Sequence, residues 1–395
     1  MNWSESIREN DKRYHLVDRK VVKNMSVAEK EILKGIKEYA PAKSRESIKR
    51  KYGIEHLIKL AGNENRLGCS LKAKEAIRAY VDDEEQIFLY PDGNVTVLRE
   101  LAAKKHDIKE NQLIFGNGSF ELIEIIAKTY LEEGDETIYS VPSFNWYENV
   151  TKQAGAIPVK IPAKDFETDT EAILQAVNEK TKIIWLCNPN NPTGTLLKAE
   201  VLEDFVARIP SNVLLVLDEA YLDFVTEDYP DSAELIKKYD NVIALKTFSK
   251  LYGLAGFRIG YGYADQKIIT SLLKSKTPIN VSSLAQVAAT ASIRDEEFRQ
   301  KVIENNRKSL ELYYKTLDEL GLKYVKSAAN FILFETGTDS AVVTEEYLKH
   351  GILVRGGAEY GYPEWIRVTV GTESDNQKVL DILRELVNKG GGSNA

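Results

Sequence analysis

Between Gln112 and Tyr263 the chain repeats one pattern: a short apolar run rich in Val, Ile, Leu and Tyr, an amphipathic stretch of helical spacing, then another apolar run. The runs are QLIFG, ETIYSV, KIIWLC, VLLVLDEA, NVIALKTFSK and GFRIGYGYA, and between the first two Leu122, Ile123, Ile126 and Tyr130 share one helical face. Strands that are apolar at consecutive positions are buried on both faces, whereas strands with one wet face alternate. The pattern therefore predicts an α/β protein with a large domain, its mostly parallel sheet covered by helices on both sides. Such sheets bind ligands beyond the carboxyl ends of their strands. The residues just after each run are the ones to read for chemistry.

At 395 residues, 43% of them hydrophobic, the chain is longer than one core usually serves, and past Ala264 the pattern changes. Long helical stretches, notably Leu284 to Leu320, lead to NFILFET, ILVR, IRVTV and a closing helix, the make-up of a smaller α+β domain. The expected division is an N-terminal arm over 1–30, a small domain from 31–60 and 276–389, a large domain over 61–275, and a linker-like tail, GGGSNA, over 390–395.

Charge narrows the partners. A net charge of -7 offers no basic face to nucleic acid or an anionic membrane. No run of eighteen apolar residues occurs, and Met1 to Arg8 lacks the apolar stretch of a secretion signal. A cytoplasmic protein acting on a small molecule is expected. Cys69 and Cys187 lie far apart outside any CxxC pair, and His15, His56, His106 and His350 are scattered singly. Neither a disulfide framework, a metal site nor a Ser-His-Asp arrangement is expected.

Four motifs fall where strands end. In GNGSFELIEII, Gly116 and Gly118 lead through Ser119 and Phe120 into a helix whose free N–H groups can hold a phosphate. NPNNPTG (Asn188 to Gly194) follows KIIWLC, and DEAY (Asp218 to Tyr221) follows VLLVL. Capping Asn and turn Pro or Gly account for part of NPNNPTG but not for its coincidence with the others. The fourth, TFSKLYGLAGFRIG, puts Thr247, Ser249 and Lys250 at a strand end and Arg258 eight residues later. A lysine beside an apolar strand is costly unless it is used. The two hydroxyls and Arg258 supply phosphate donors, the arginine as a bidentate fork, and Lys250 is placed to form an imine with an aldehyde.

In these motifs, and from about Tyr39 to Asn388, the sequence resembles the class I/II aminotransferases of pyridoxal-phosphate (PLP) fold type I, within them the histidinol-phosphate aminotransferase branch. The resemblance implies PLP held on Lys250 as a Schiff base, Asp218 beside the pyridine nitrogen, Asn191 and Tyr221 on the ring hydroxyl, and Phe144 of PSFNWY stacked on the ring. A carboxylate beside that nitrogen favours the protonated ring, the better electron sink. Lys250, once released, becomes the base at the substrate α-carbon. Lys250, Asp218 and Tyr221 are thus the expected catalytic residues.

On the substrate side the resemblance implies a carboxylate or phosphate on Arg367 of IRVTVG, a second arginine in Arg355 of ILVRGG, and pocket contacts from Asn191 and from Tyr39 of EYAPAK. A surface ion pair explains either arginine singly. Tyr90, in FLYPDG, resembles a tyrosine that reaches into the partner subunit's site, which implies a homodimer. The sequence departs from the branch at Arg66 (NENR for NENP) and at Phe120 (GSFE for GSDE). At Phe120 a changed reaction outcome and a plain packing difference both stand open. In the arm before Lys30, Ser4 can cap a short helix with Glu5 and Glu9 on one face. A disordered or dimer-bracing arm fits it, as does recognition of a guanidinium by Glu9.

Two enzymatic readings follow. The first is an aminotransferase for histidinol phosphate or an aromatic amino acid, with 2-oxoglutarate and glutamate as partner pair. The alternative is elimination or cyclisation of an arginine-derived amino acid on the same scaffold. A PLP-binding transcription regulator is set aside, because thirty extra residues are too few for a DNA-binding module.

Overall fold

The computed structural model describes residues 27–36, 44–226 and 229–391. Met1–Lys37 forms a unit of its own, whose described part holds one 3-10 turn, Glu31–Leu33. The site lies wholly in the second unit, Glu38–Ala395.

Thirteen strands occur among the described residues: β1 Ile58–Lys59, β2 Leu113–Gly116, β3 Glu136–Val141, β4 Ile157–Pro162, β5 Thr181–Cys187, β6 Leu214–Asp218, β7 Val242–Thr247, β8 Gly260–Ala264, β9 Tyr324–Val325, β10 Phe331–Glu335, β11 Ile352–Leu353, β12 Arg355–Gly356 and β13 Trp365–Thr369. Seven form the large sheet in the order β2-β8-β7-β6-β5-β3-β4. Only β8 opposes its neighbours, pairing antiparallel with β2 and β7. The sheet is thus the mostly parallel α/β arrangement that the apolar runs predict.

The apolar runs are buried on both faces, as their composition requires. Along β6, Leu215 and Leu217 enter one core while Leu214 and Val216 enter the other, and β7 divides in the same way. Helix Gly118–Tyr130 covers one face with Leu122, Ile123 and Ile126, and helix Ala199–Arg208 covers the other with Leu202, Phe205 and Val206. Each such side chain, fully buried, contributes about 1.5–3 kcal/mol. Side-chain caps set the helix starts: Ser282 accepts from Ala285 N and Asp295 from Phe298 N.

The smaller body has a four-stranded antiparallel sheet, β12-β13-β10-β9, and a parallel pair, β1-β11. Its core joins Ile332, Phe334, Ile366 and Val368 to Leu380 and Leu383 of the closing helix. Helix Glu296–Glu319 serves both bodies, with Val302 in the core under the large sheet and Leu310, Tyr313 and Leu317 in the small one. Helix Ser283–Ile293 gives Ala285, Ala288 and Ala289 to the large core. The closing helix runs Glu373–Gly391, taking in the first two residues of the tail expected to be linker. Among the described residues no helix is long and apolar enough to cross a membrane.

Candidate active site

A cavity of about 500 Å³ opens beyond the carboxyl ends of the parallel strands. Strand order alone assembles it. β2 delivers Ser119 and Phe120, β3 delivers Phe144, β5 delivers Asn191, β6 ends on Asp218, and β7 leads to Thr247, Ser249 and Lys250. Arg258 enters just ahead of β8, while the small body adds Arg355 from β12 and Arg367 from β13. A larger cavity, about 600 Å³, lies between residues 195–200 and helix Glu296–Glu319 and contains none of the expected residues.

One end is shaped for a phosphate. Gly118 has φ +75°, and a Cβ there would lie 2.6 Å from Arg258 Nη2, so the arginine can close on the turn only because the residue is glycine. Arg258 donates to Ser249 Oγ (3.3 Å) and to the carbonyls of Ala255 and Asn117. No carboxylate among the described residues pairs with it. An uncompensated guanidinium, a hydroxyl and a helix N-terminus make an anion cradle, which fits the phosphate of the expected cofactor.

The other polar groups suit a cationic ring and an amine. Asp218 is buried, and Tyr147, also buried, donates to its Oδ2 at 2.7 Å. Burial pushes the Asp218 carboxyl up to about 6, against the opposing Tyr147 hydrogen bond. Tyr147 itself is stacked on Trp185, with ring centroids 5.3 Å apart and planes 4° apart. Lys250 Nζ donates to the carbonyl of Gly62 at 3.0 Å. Burial brings its amine down to about 8, helped by Arg367 and Arg258 and resisted by Glu64 and Asp218. The Tyr221 hydroxyl accepts from Asn63 Nδ2 (3.0 Å) and Asn191 Nδ2 (3.4 Å), and burial raises its pKa.

At the substrate end Arg367 is buried, donates to Asn191 Oδ1 and to the carbonyl of Ala61 (2.9 Å), and keeps Nε without a partner. It has no acidic partner among the described residues. Arg355 stands directly across the strand pair from Arg367 but is clamped by Glu359, with Nε on Oε1 and Nη2 on Oε2 at 2.6 Å.

The structure thus brings together Ser119, Phe120, Phe144, Asn191, Asp218, Tyr221, Thr247, Ser249, Lys250, Arg258, Arg355 and Arg367, with Gly118 behind them. Tyr90 is not in this cavity: it is 88% exposed and follows the exposed residues Ile87, Phe88 and Leu89. Tyr39 and Glu9 lie outside the described residues, and with Glu9 goes the basis of the guanidinium reading, which nothing in the cavity favours. Phe120 lines the cavity and packs edge-on against Phe144 (centroids 5.0 Å, 88°) and tilted against Trp146. Arg66 pairs with the mostly buried Asp375 at 3.0 Å, tying the 61–66 segment to the closing helix.

Sequence reasoning missed Tyr147, Asn63 and Glu359. Tyr147 carried a signal, since it stands three residues after Phe144 in PSFNWY; its amide donates to the Phe144 carbonyl (3.3 Å) and the two rings meet edge-on at 5.5 Å. Glu359 carried none: it reaches Arg355 from a one-turn segment, Ala358–Tyr360, outside any periodic element.

Comparison with known proteins agrees with this geometry. The model of the family "Aminotransferase class I and II" matches residues 55–383. The histidinol-phosphate aminotransferase of Caldicellulosiruptor saccharolyticus is 43% identical over 91% of this chain and 99% of its own length, and that of a Geobacillus species is 42% identical over 90% and 97%. Among solved structures, histidinol-phosphate aminotransferase from Sinorhizobium meliloti in complex with pyridoxal-5'-phosphate superposes with a TM-score of 0.85 at 25% identity, covering 93% of this chain and 99% of that one. The chain belongs to the aminotransferase class I and II family, pyridoxal-phosphate enzymes of fold type I that act on amino acids.

Proposed function

We propose that the enzyme transfers the amino group of histidinol phosphate, or of an aromatic amino acid, to 2-oxoglutarate, which leaves as glutamate. The observation that carries this reading is the facing pair Arg355 and Arg367 on β12 and β13, both lining the cavity that holds Lys250. Two guanidinium groups suit a phosphate monoester, with its about one to two charges, and equally the two carboxylates of 2-oxoglutarate and glutamate. The names of the similar proteins support the same substrate.

Within the reading each residue has a physical task. PLP, when bound, supplies a ring that withdraws electrons from the substrate α-carbon. Gly118, Ser119, Thr247, Ser249 and Arg258 hold its phosphate, and Phe144 covers the ring. Asp218, ionised above about pH 6, keeps negative charge beside the ring nitrogen, where each unit of pKa shift is worth about 1.36 kcal/mol. Asn191 and Tyr221 fix the ring hydroxyl. Arg367, without an acidic partner, takes a substrate carboxylate or phosphate. Lys250, with an amine near 8, holds the cofactor and then accepts and returns the α-proton, because an appreciable fraction is neutral at physiological pH.

The assembly proposed is a cytoplasmic homodimer. Ile87, Phe88, Leu89 and Tyr90 are 52–88% exposed in one run, an apolar surface that isolated soluble chains seldom show, and Tyr90 would enter the partner's cavity from it. The large domain is taken as 61–275 and the small as 31–60 with 276–389, although helix Ser283–Ile293 packs Ala285, Ala288 and Ala289 into the large core.

The test is steady-state turnover with 2-oxoglutarate. Histidinol phosphate should yield glutamate, and Arg355→Ala should raise its KM by about tenfold to a thousandfold relative to phenylalanine. No turnover of either substrate would overturn the reading.

A further inference from the structure

The far end of the cavity holds a charge arrangement that phosphate binding alone does not explain. Arg355 presents its Nε and Nη2 edge to both oxygens of Glu359, the same bidentate edge a phosphate would use. Glu359 and Tyr360 both line the cavity beside Arg367. Burial alone would push the Glu359 carboxyl up, but the Arg355 hydrogen bonds, with Tyr360 and Arg367, hold it below the usual carboxylate range. At the pH of catalysis Glu359 is therefore an anion. Its place is fixed by the backbone: it sits on a one-turn segment after β12, preceded by Gly357, where a Cβ would lie 2.5 Å from the Tyr362 carbonyl oxygen, and followed by Gly361 at φ +86°.

The charges then divide unequally between the two arginines. Arg367 makes no ion pair among the described residues and feels Glu359 only at longer range, whereas Arg355 and Glu359 pair directly and sum to zero. A phosphate monoester seated on Arg367, with between one and two negative charges, can take the Arg355 fork as well only by displacing Glu359 or lying against it. An uncharged aromatic side chain does neither. We infer, resting on the aminotransferase reading above, that Glu359 is a specificity-determining residue that competes with substrate phosphate for Arg355 and so tilts the enzyme towards uncharged aromatic substrates. A mere positioning role, in which Glu359 steadies Arg355 for the phosphate, makes the opposite prediction.

The experiment compares wild-type holoenzyme with Glu359→Gln, which keeps the shape, and Glu359→Ala, which clears it. The measured quantity is the ratio of kcat/KM for histidinol phosphate to that for phenylalanine, together with competitive inhibition by inorganic phosphate. The ratio should rise about tenfold or more in both variants through a lower KM, and phosphate should inhibit more tightly by a similar factor. Adding Arg355→Ala should erase both gains. A ratio that stays level or falls, with phosphate inhibition no tighter, overturns the inference while leaving the aminotransferase reading intact. Tighter phosphate inhibition in the variants of an enzyme that ignores histidinol phosphate would sink the substrate reading and keep the role of Glu359.

Discussion

Two lysines four residues apart, Lys246 and Lys250, leave the same strand and meet opposite treatment on its two sides. Lys246 is 8% exposed and forms an ion pair at 2.7 Å with Glu219, itself 3% exposed. Ser232 donates to the same carboxylate. Lys250 meets a backbone carbonyl instead, and burial, with Arg367 and Arg258 set against the more distant Glu64 and Asp218, brings its amine down to about 8. A lysine matched by a carboxylate is structure. One left without is poised to lose its proton and react.

Removing each lysine should separate these roles. Lys250→Ala is expected to lower turnover at least about 10⁴-fold, whereas Lys246→Met should stay within about threefold of wild type wherever it is folded. Comparable losses in both would erase the distinction. Stability should respond in the opposite order. Lys246→Met strands Glu219 in the interior and should cost about 3–5 kcal/mol in denaturant unfolding, most of it recovered in Lys246→Met/Glu219→Leu.

Asp218 extends the contrast to acids. Its folded pKa, about 6, is raised above the ordinary 3.8. The native apoenzyme therefore binds more protons than the unfolded chain between pH 4 and 6, and stability falls as pH rises through that window. Asp218→Asn should make the apoenzyme up to about 3 kcal/mol more stable above pH 6 while cutting holoenzyme turnover about a hundredfold. An apoenzyme no more stable than wild type would show that the carboxylate is not under strain. The smallest effect belongs to Tyr147→Phe. Losing that hydrogen bond removes a contribution that lowers the Asp218 pKa, so the acid limb of the kcat profile should move upward relative to wild type, with turnover down about tenfold. An unmoved acid limb would make Tyr147 a packing residue only.

What was legible in the sequence follows from the same physics. The large sheet could be read because β6 and β7 are apolar at nearly every position, and Lys250 stood out because charge there has no local excuse. Partners joined across irregular turns or from distant segments could not be read. Glu359 holds Arg355 across an irregular turn, Arg66 meets Asp375 309 residues away, and Asn63 reaches Tyr221 over 158. The long helix Glu296–Glu319 serving two cores blurred the domain boundary, since its periodicity is that of a single helix whichever body it faces.

The central claim, that Lys250 and not its buried neighbour carries the cofactor, is tested most directly by reducing the holoenzyme with borohydride and mapping the labelled peptides. The pyridoxyl group should be found on Lys250 alone, in the peptide that contains TFSK. Label on Lys246, or on any other lysine in place of Lys250, would contradict the assignment.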